Sequence, residues 1–206
     1  MLNGKKILAV IPARGGSKRV PMKNVTIFKH NGEYKALVDW AIEHAKGSKY
    51  IDRWVVSTDD SHIGSFAVKH GYHHFLQRPS YLADDVATSE SVMVHALYLL
   101  PGYEYDYAVL LQPTSPLRES QDIDACIEIA VNRHGEEGKT GCVSYYETKR
   151  NGAVYVCHVE HFLKMLSFDA AHHYAMPLDR SLDIDHPWQF GREWDHLKPG
   201  FPRELA

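Results

Sequence analysis

Five consecutive apolar residues, Ile7–Ile11, end at Pro12 and run into a twelve-residue segment that holds Arg14, Lys18, Arg19 and Lys23 together with Gly15, Gly16 and Ser17. An apolar run this short and this uniform suits a strand buried on both faces, as in a parallel sheet covered by helices. Glycines let backbone N–H groups turn toward one point, and the cations put positive charge there. The combination fits a polyphosphate cradle at the carboxyl end of a strand, where open α/β sheets bind ligands. A solvated basic loop would have the same composition. Two other glycine loops are excluded. The dinucleotide fingerprint needs a third glycine that Gly15-Gly16 lacks, and Gly138-Lys139-Thr140 has Arg133 where a Walker A loop needs its first glycine.

The remaining chain alternates strand and helix signals. Leu37, Val38, Ala41, Ile42 and Ala45 recur at helical spacing, with Gly47 as the stop. Trp54–Ser57 reads as a strand, followed by N-cap candidates at 58–61 and a helix through Ile63, Phe66, Ala67 and His70. His74–Leu76 reads as a third strand. Residues 77–89 are loop-like, and Thr88-Ser89 caps a helix carrying Val92, Met93, Ala96 and Leu97. Tyr107–Leu111 is a buried strand, broken at Pro113, and Ser120 is the expected cap of the next helix. Gly141–Tyr145 and Ala153–Val156 are strand candidates, a short helix is expected over 161–166, another after Asp185, and residues 198–206 read as a tail. The β-α-β order predicts one domain over residues 1–206, a three-layer α/β/α sandwich with a mostly parallel sheet and right-handed crossovers.

With 206 residues, a formal charge of −3 and 44% hydrophobic residues, the chain gives no broad electrostatic reason to bind nucleic acid. No apolar stretch reaches the ~20 residues of a membrane span, and the N-terminus lacks a signal peptide's apolar region, so a cytoplasmic protein is expected. Cys126, Cys142 and Cys157 form no CxxC and indicate neither a disulfide framework nor zinc. Cys157, His158 and His161 lack a fourth metal ligand at suitable spacing.

Residues Ala13–Asn24 carry R-G-G-S-K-x-x-P-x-K-N. They are followed in order by Val55-Val-Ser-Thr-Asp-Asp60, by Arg78-Pro-Ser-Tyr-Leu-Ala-Asp-Asp85 with Ala87-Thr-Ser89, by Leu110-Leu-Gln-Pro-Thr-Ser-Pro-Leu-Arg118, and by Arg150-Asn-Gly-Ala-Val-Tyr-Val156 with Ser181-Leu-Asp-Ile-Asp185. These five segments, spanning nearly the whole chain, resemble the acylneuraminate cytidylyltransferase family. The resemblance implies transfer of CMP from CTP to an acidic sugar, with pyrophosphate released. It implies a nucleotide site made of Ala13, Arg14, Gly15, Gly16, Ser17, Lys18, Lys23, Asn24, Arg78, Ala87 and Ser89, with Arg14 and Lys23 also acting in catalysis. It implies that Asp183 and Asp185 act in catalysis as the ligands of Mg²⁺ (or Mn²⁺), and that Gln112 and Asn151 face the acceptor.

The residue types suit those roles. Arg grips phosphate oxygens with two donors and Lys acts as a point charge. In a D-x-D pair on extended chain, both carboxylates point to one side and can meet one hard cation. Alternatives stand beside these readings. Arg78 could pair with Asp84 or Asp85, Asp185 could cap a following helix, and Asn151-Gly152 could be a turn. No histidine or carboxylate stands out as a general base.

The resemblance breaks at one place. Typical members carry several dozen residues between the strand matching Cys142–Tyr145 and the R-N-G-A-x-Y segment, a stretch that builds much of the dimer interface and contacts the sugar acid. Here only Tyr146, Glu147, Thr148 and Lys149 intervene. A homodimer of the usual kind and a nine-carbon acceptor are therefore both in question. A smaller acid, phosphate or phosphonate acceptor, or a non-catalytic CTP-binding relative, are the other readings.

Overall fold

The computed structural model describes residues 1–71, 75–100 and 105–190. Strand β1 (Ile7–Pro12) lies inside a seven-stranded sheet, between β4 (Arg53–Thr58) and β6 (Tyr107–Leu110), and is parallel to both. Its alternation decides the layers. Ile7, Ala9 and Ile11 enter one core with α1 (Leu37–Gly47), α2 (Ser61–Lys69) and α4 (Ser120–Asn132). Leu8 and Val10 enter the opposite core with α3 (Ser89–Leu99) and α5 (Val159–Met165). Every residue from Ile7 to Ile11 is 0% exposed, and each large side chain among them contributes roughly 1.5–3 kcal/mol.

Beyond β4 lies β5 (Leu76–Gln77), and beyond β6 come β8 (Lys149–His158), β7 (Gly141–Tyr146) and β9 (Ala171–Ala175). Only β8 runs against the rest, because it returns from β7 through a two-residue turn in which Glu147 takes φ 53°. The expected sandwich with a mostly parallel sheet is thus present. Both strands of this hairpin extend past the expected 141–145 and 153–156. Between the basic loop and α1 the chain forms a second hairpin of β2 (Ile27–His30) and β3 (Glu33–Ala36). Asn31 and Gly32 supply the two positive-φ positions that such a turn needs. Phe28 of this hairpin packs with Leu37 and Trp40 of α1 and with Ile184 and Phe190 in a third apolar cluster.

Several local expectations change. Ser120 does not cap α4: its hydroxyl donates to the His44 carbonyl at 2.8 Å, and the Asp122 carboxylate accepts the Glu119 N–H at 2.9 Å. The strand expected at His74–Leu76 is observed at Leu76–Gln77, and residues 72–74 lie outside the described residues. Strand β9 was not foreseen. Its His172 is buried and bonded to the Arg133 carbonyl at 3.0 Å, while the adjacent His173 is exposed against the Tyr145 ring. After Asp185 the described residues form a 3-10 turn, Pro187–Phe190, and residues 191–206, which include the expected tail at 198–206, lie outside the described residues. All three cysteines are buried free thiols. Among the described residues no helix is long and apolar enough to cross a membrane.

Candidate functional site

Strands β1 and β6 end side by side, and the chain leaves them in the loops 12–24 and 111–119, at the sheet's topological switch point. A cleft of ≈ 620 Å³ opens there, and both loops line it. Arg14, Ser17, Lys18, Lys23, Asn24, Arg78, Ala87, Ser89, Gln112, Asp183 and Asp185 all reach its wall.

The basic loop is held from behind. Ala13 donates its N–H to the Ser57 carbonyl and is buried. The Gly15 N–H donates to Asp59 Oδ1 at 2.9 Å, and a Cβ on Gly15 would sit 2.9 Å from Asp60 Oδ2. Gly15 therefore serves close approach to β4 and α2, and its N–H is already used. The N–H groups of Ala13 and Gly15 are thus bonded within the protein, while Arg14, Ser17 and Lys18 beside them line the cleft. Asn24 is buried, and its Nδ2 donates to the Arg14 carbonyl at 2.9 Å, so it shapes the loop as well as lining the cleft.

Each cation has an acidic partner. Arg14 donates from Nη1 to the Asp84 carbonyl and from Nη2 to Asp85 Oδ1 at 2.8 Å, and Lys18 pairs with Asp85 Oδ2. These contacts hold the Asp85 carboxyl below its ordinary range, Lys18 first and Arg14 next. Lys23 Nζ, only 15% exposed, donates to the Ile184 carbonyl at 3.0 Å and to Asp185 Oδ1 at 3.2 Å. Arg19, which sequence reasoning left out, also lines the cleft and stands 3.6 Å from Asp185 Oδ2.

Arg78 makes no ion pair with Asp84 or Asp85. It is buried, donates from Nε to Ser57 Oγ at 3.2 Å and from Nη2 to the Ser57 carbonyl, and its pKa is lowered to about 10, chiefly by burial. Its Nη1 donates to the Leu82 carbonyl at 3.4 Å, and Arg78 lines the cleft.

Ile184 is wholly buried, its N–H donates to the Thr114 carbonyl at 2.8 Å, and Gln189 accepts the N–H groups of Asp185 and His186, both at 2.7 Å. With Ile184 anchored inward, Asp183 and Asp185 face the cleft together. Gln189 rather than Asp185 thus serves the backbone of the following turn. Burial raises the pKa of Asp183, Thr114 opposes this by hydrogen bonding, and the like charge of Asp185 adds to it. Two hard carboxylates on one wall of the cleft fit a divalent cation whose other positions are filled by phosphate oxygens and water. No third His, Cys, Asp or Glu joins them among the described residues.

Gln112 and Asn151 separate. Gln112 lines the cleft, and its backbone carbonyl accepts from the buried Arg118 at 3.2 Å. Asn151 is turned inward: its Oδ1 accepts from Ser144 Oγ at 2.6 Å, and its Nδ2 donates to Ser181 Oγ at 3.1 Å. It lies at the bulge in the β7–β8 ladder, with both ends of its amide engaged inside the protein. Gly152, at φ +77°, brings the backbone against Gln112 and Asp183; a Cβ there would lie 2.7 Å from Gln112 Oε1 and 3.3 Å from Asp183 Oδ2. Sequence reasoning treated Gly152 only as half of a turn signal. Thr114, within the Leu110–Arg118 segment, also lines the cleft without having been singled out.

The family model described as "Cytidylyltransferase" matches residues 8–167. N-acylneuraminate cytidylyltransferase of Escherichia coli O18:K1:H7 is 31% identical over 90% of this chain and 50% of its own length. Pseudaminic acid cytidylyltransferase of Campylobacter jejuni is 40% identical over 54% of this chain and 47% of its own length. The chain spans about half the length of these curated relatives. A solved structure of 4-diphosphocytidyl-2C-methyl-D-erythritol synthase from Anaerococcus prevotii superposes with a TM-score of 0.64 at 11% identity, over 95% of this chain and 97% of the other, which is a likeness of fold.

Proposed function

From the chain's membership of the cytidylyltransferase family, we propose that it transfers CMP from CTP to a small acidic sugar and releases pyrophosphate. The observation that carries this reading is the convergence of Arg14, Lys18 and Lys23 with Asp183 and Asp185 on one cleft at the ends of β1 and β6. A triphosphate of about −4 needs several cations in fixed places, and these three supply them by fork and point-charge contacts. Asn24 keeps the loop in shape through the Arg14 carbonyl, and Arg78 with Ala87 and Ser89 forms the wall on which the base would rest. Asp183 and Asp185 would hold Mg²⁺ or Mn²⁺, which polarises phosphoryl oxygens as a Lewis acid when bound. Lys23 joins the two halves, since its side chain runs from the basic loop to the Asp185 segment. Gln112 donates and accepts toward an acceptor lying beside Asp183.

The two-residue turn after β7 favours a compact acceptor. Few groups stand there to satisfy the hydroxyls of a long glycerol side chain, and unmatched polar groups lower affinity. Association of subunits would use a surface other than one built on that turn. Pyrophosphate release at saturating CTP and Mg²⁺, measured across acids of nine, eight and fewer carbons and phosphorylated small acids, tests the reading. Higher kcat/KM for the compact acids is expected, and a clear preference for the nine-carbon acid refutes the acceptor assignment. CTP binding without turnover on any acceptor makes the chain a non-catalytic relative.

A further inference from the structure

The cations of the basic loop are already held by an acidic side chain. The segment from Ala83 to Asp85 lies against Arg14: Nη1 reaches the Ala83 carbonyl at 3.4 Å and the Asp84 carbonyl, and Nη2 reaches Asp85 Oδ1 at 2.8 Å. The second oxygen of Asp85 takes Lys18. One carboxylate thus bridges two cations of the loop, as a phosphate group with two free oxygens would. The segment is shaped for this. Asp84 Oδ1 accepts from the N–H groups of Val86 and Ala87 at 2.9 and 2.8 Å, which turns the chain at Asp85, and the next side chain, Val86, is 84% exposed. Asp85 itself is not packed in: its side chain is 40% exposed, and Lys18 is 84% exposed. A bridge so open to water is weakly held, so a multivalent anion can take its place.

We propose that Asp85 is a displaceable stand-in for a phosphate group, which limits how tightly Arg14 and Lys18 hold polyphosphate and returns to them as pyrophosphate leaves. The inference rests on the reading that this loop takes a polyphosphate. Asp85 has the right geometry because it offers two oxygens to the same two donors. It has the right charge because a polyphosphate's several charges outbid one carboxylate. Its return restores the bridge within the chain, so departure of the product exposes no bare cation. The other acidic partner, Asp185, differs because its segment is anchored by Ile184 and Gln189 and cannot swing away.

The test is calorimetric titration of wild type, Asp85→Asn and Asp85→Ser with CTP, inorganic tripolyphosphate and CMP. Both variants are expected to bind CTP and tripolyphosphate about three- to tenfold more tightly, the size set by two exposed ion pairs, with CMP changed by less than about twofold. Pyrophosphate should leave the variants correspondingly more slowly in a stopped-flow chase. Unchanged or weaker tripolyphosphate binding in both variants overturns the inference, and would make Asp85 a residue that orders the loop. Tripolyphosphate binding that tightens in the variants while CTP binds to none of the proteins keeps the inference and refutes the proposed function. No tripolyphosphate binding by any of the proteins overturns the inference.

Discussion

Gly152→Ala is the perturbation whose consequences the structure defines most closely. The residue sits in β8 at φ +77°, where an L side chain costs about 1–2 kcal/mol. The added methyl would also lie 2.7 Å from Gln112 Oε1 and 3.3 Å from Asp183 Oδ2. Gln112 can yield by rotating its terminal amide, so that contact costs little stability but moves the group that faces the acceptor. Asp183 is less free, because Thr114 holds its carboxylate and Ile184 anchors the chain beside it. For a chain of this length each kcal/mol shifts the melting temperature by about 2–4 °C, so a drop of about 2–8 °C is expected. Affinity for CTP without divalent metal should stay within about twofold, since Arg14, Lys18 and Lys23 are not touched by the new methyl. Turnover should fall by about tenfold to a hundredfold, the range that a displacement near 1 Å produces. Differential scanning calorimetry, CTP titration and pyrophosphate release measure the three. Gly16→Ala, where a Cβ meets nothing within 4 Å, is the control and should leave the melting temperature unchanged. Wild-type turnover in Gly152→Ala would refute the idea that this close approach sets the Gln112–Asp183 wall.

Lys23→Ala should weaken CTP binding by ~1.5–3 kcal/mol, and Lys23→Arg should not restore it, because a planar fork needs a different approach from a point charge; calorimetry checks both. Asp183→Asn and Asp185→Asn should keep the fold by circular dichroism and lose turnover, with partial recovery at raised Mg²⁺ or Mn²⁺; wild-type rates at limiting metal would exclude the altered residue as a ligand. Stability should fall as the pH drops through about 6.5. His44 is held well below that ordinary value by burial and then by Arg118, and its Nδ1 is enclosed without a partner, so the folded state binds fewer protons there than the unfolded one. Burial lowers His95 and His158 in the same direction, so denaturant melts of His44→Phe should show a shallower decline than wild type, by at most about 1.4 kcal/mol per pH unit.

The fold's centre was legible because its signal is local. An apolar run such as Ile7–Ile11 admits few placements other than a doubly covered strand, and the helix periodicities place their own faces. The basic loop was legible for the same reason, since four cations and two glycines within twelve residues declare their chemistry without tertiary context. Arg14, Lys18, Lys23 and Asn24 were therefore named from the sequence, as were Arg78, Gln112 and the Asp183–Asp185 pair, and all of them line the one cleft. What tertiary structure decided was direction and partnership. Asn151 and Gly152 are adjacent, yet the bulge in β8 turns the amide into the protein and brings the glycine's backbone against Gln112 and Asp183 of the cleft. Gly15 looked like a phosphate donor, but its N–H is spent on Asp59, a residue 44 positions away. Asp85 looked like a partner for Arg78 and instead bridges Arg14 and Lys18 across about seventy residues of chain. Residue types and spacing fix what a side chain can do; which neighbour satisfies it depends on contacts between distant segments, and those form only when the sheet and its loops are assembled.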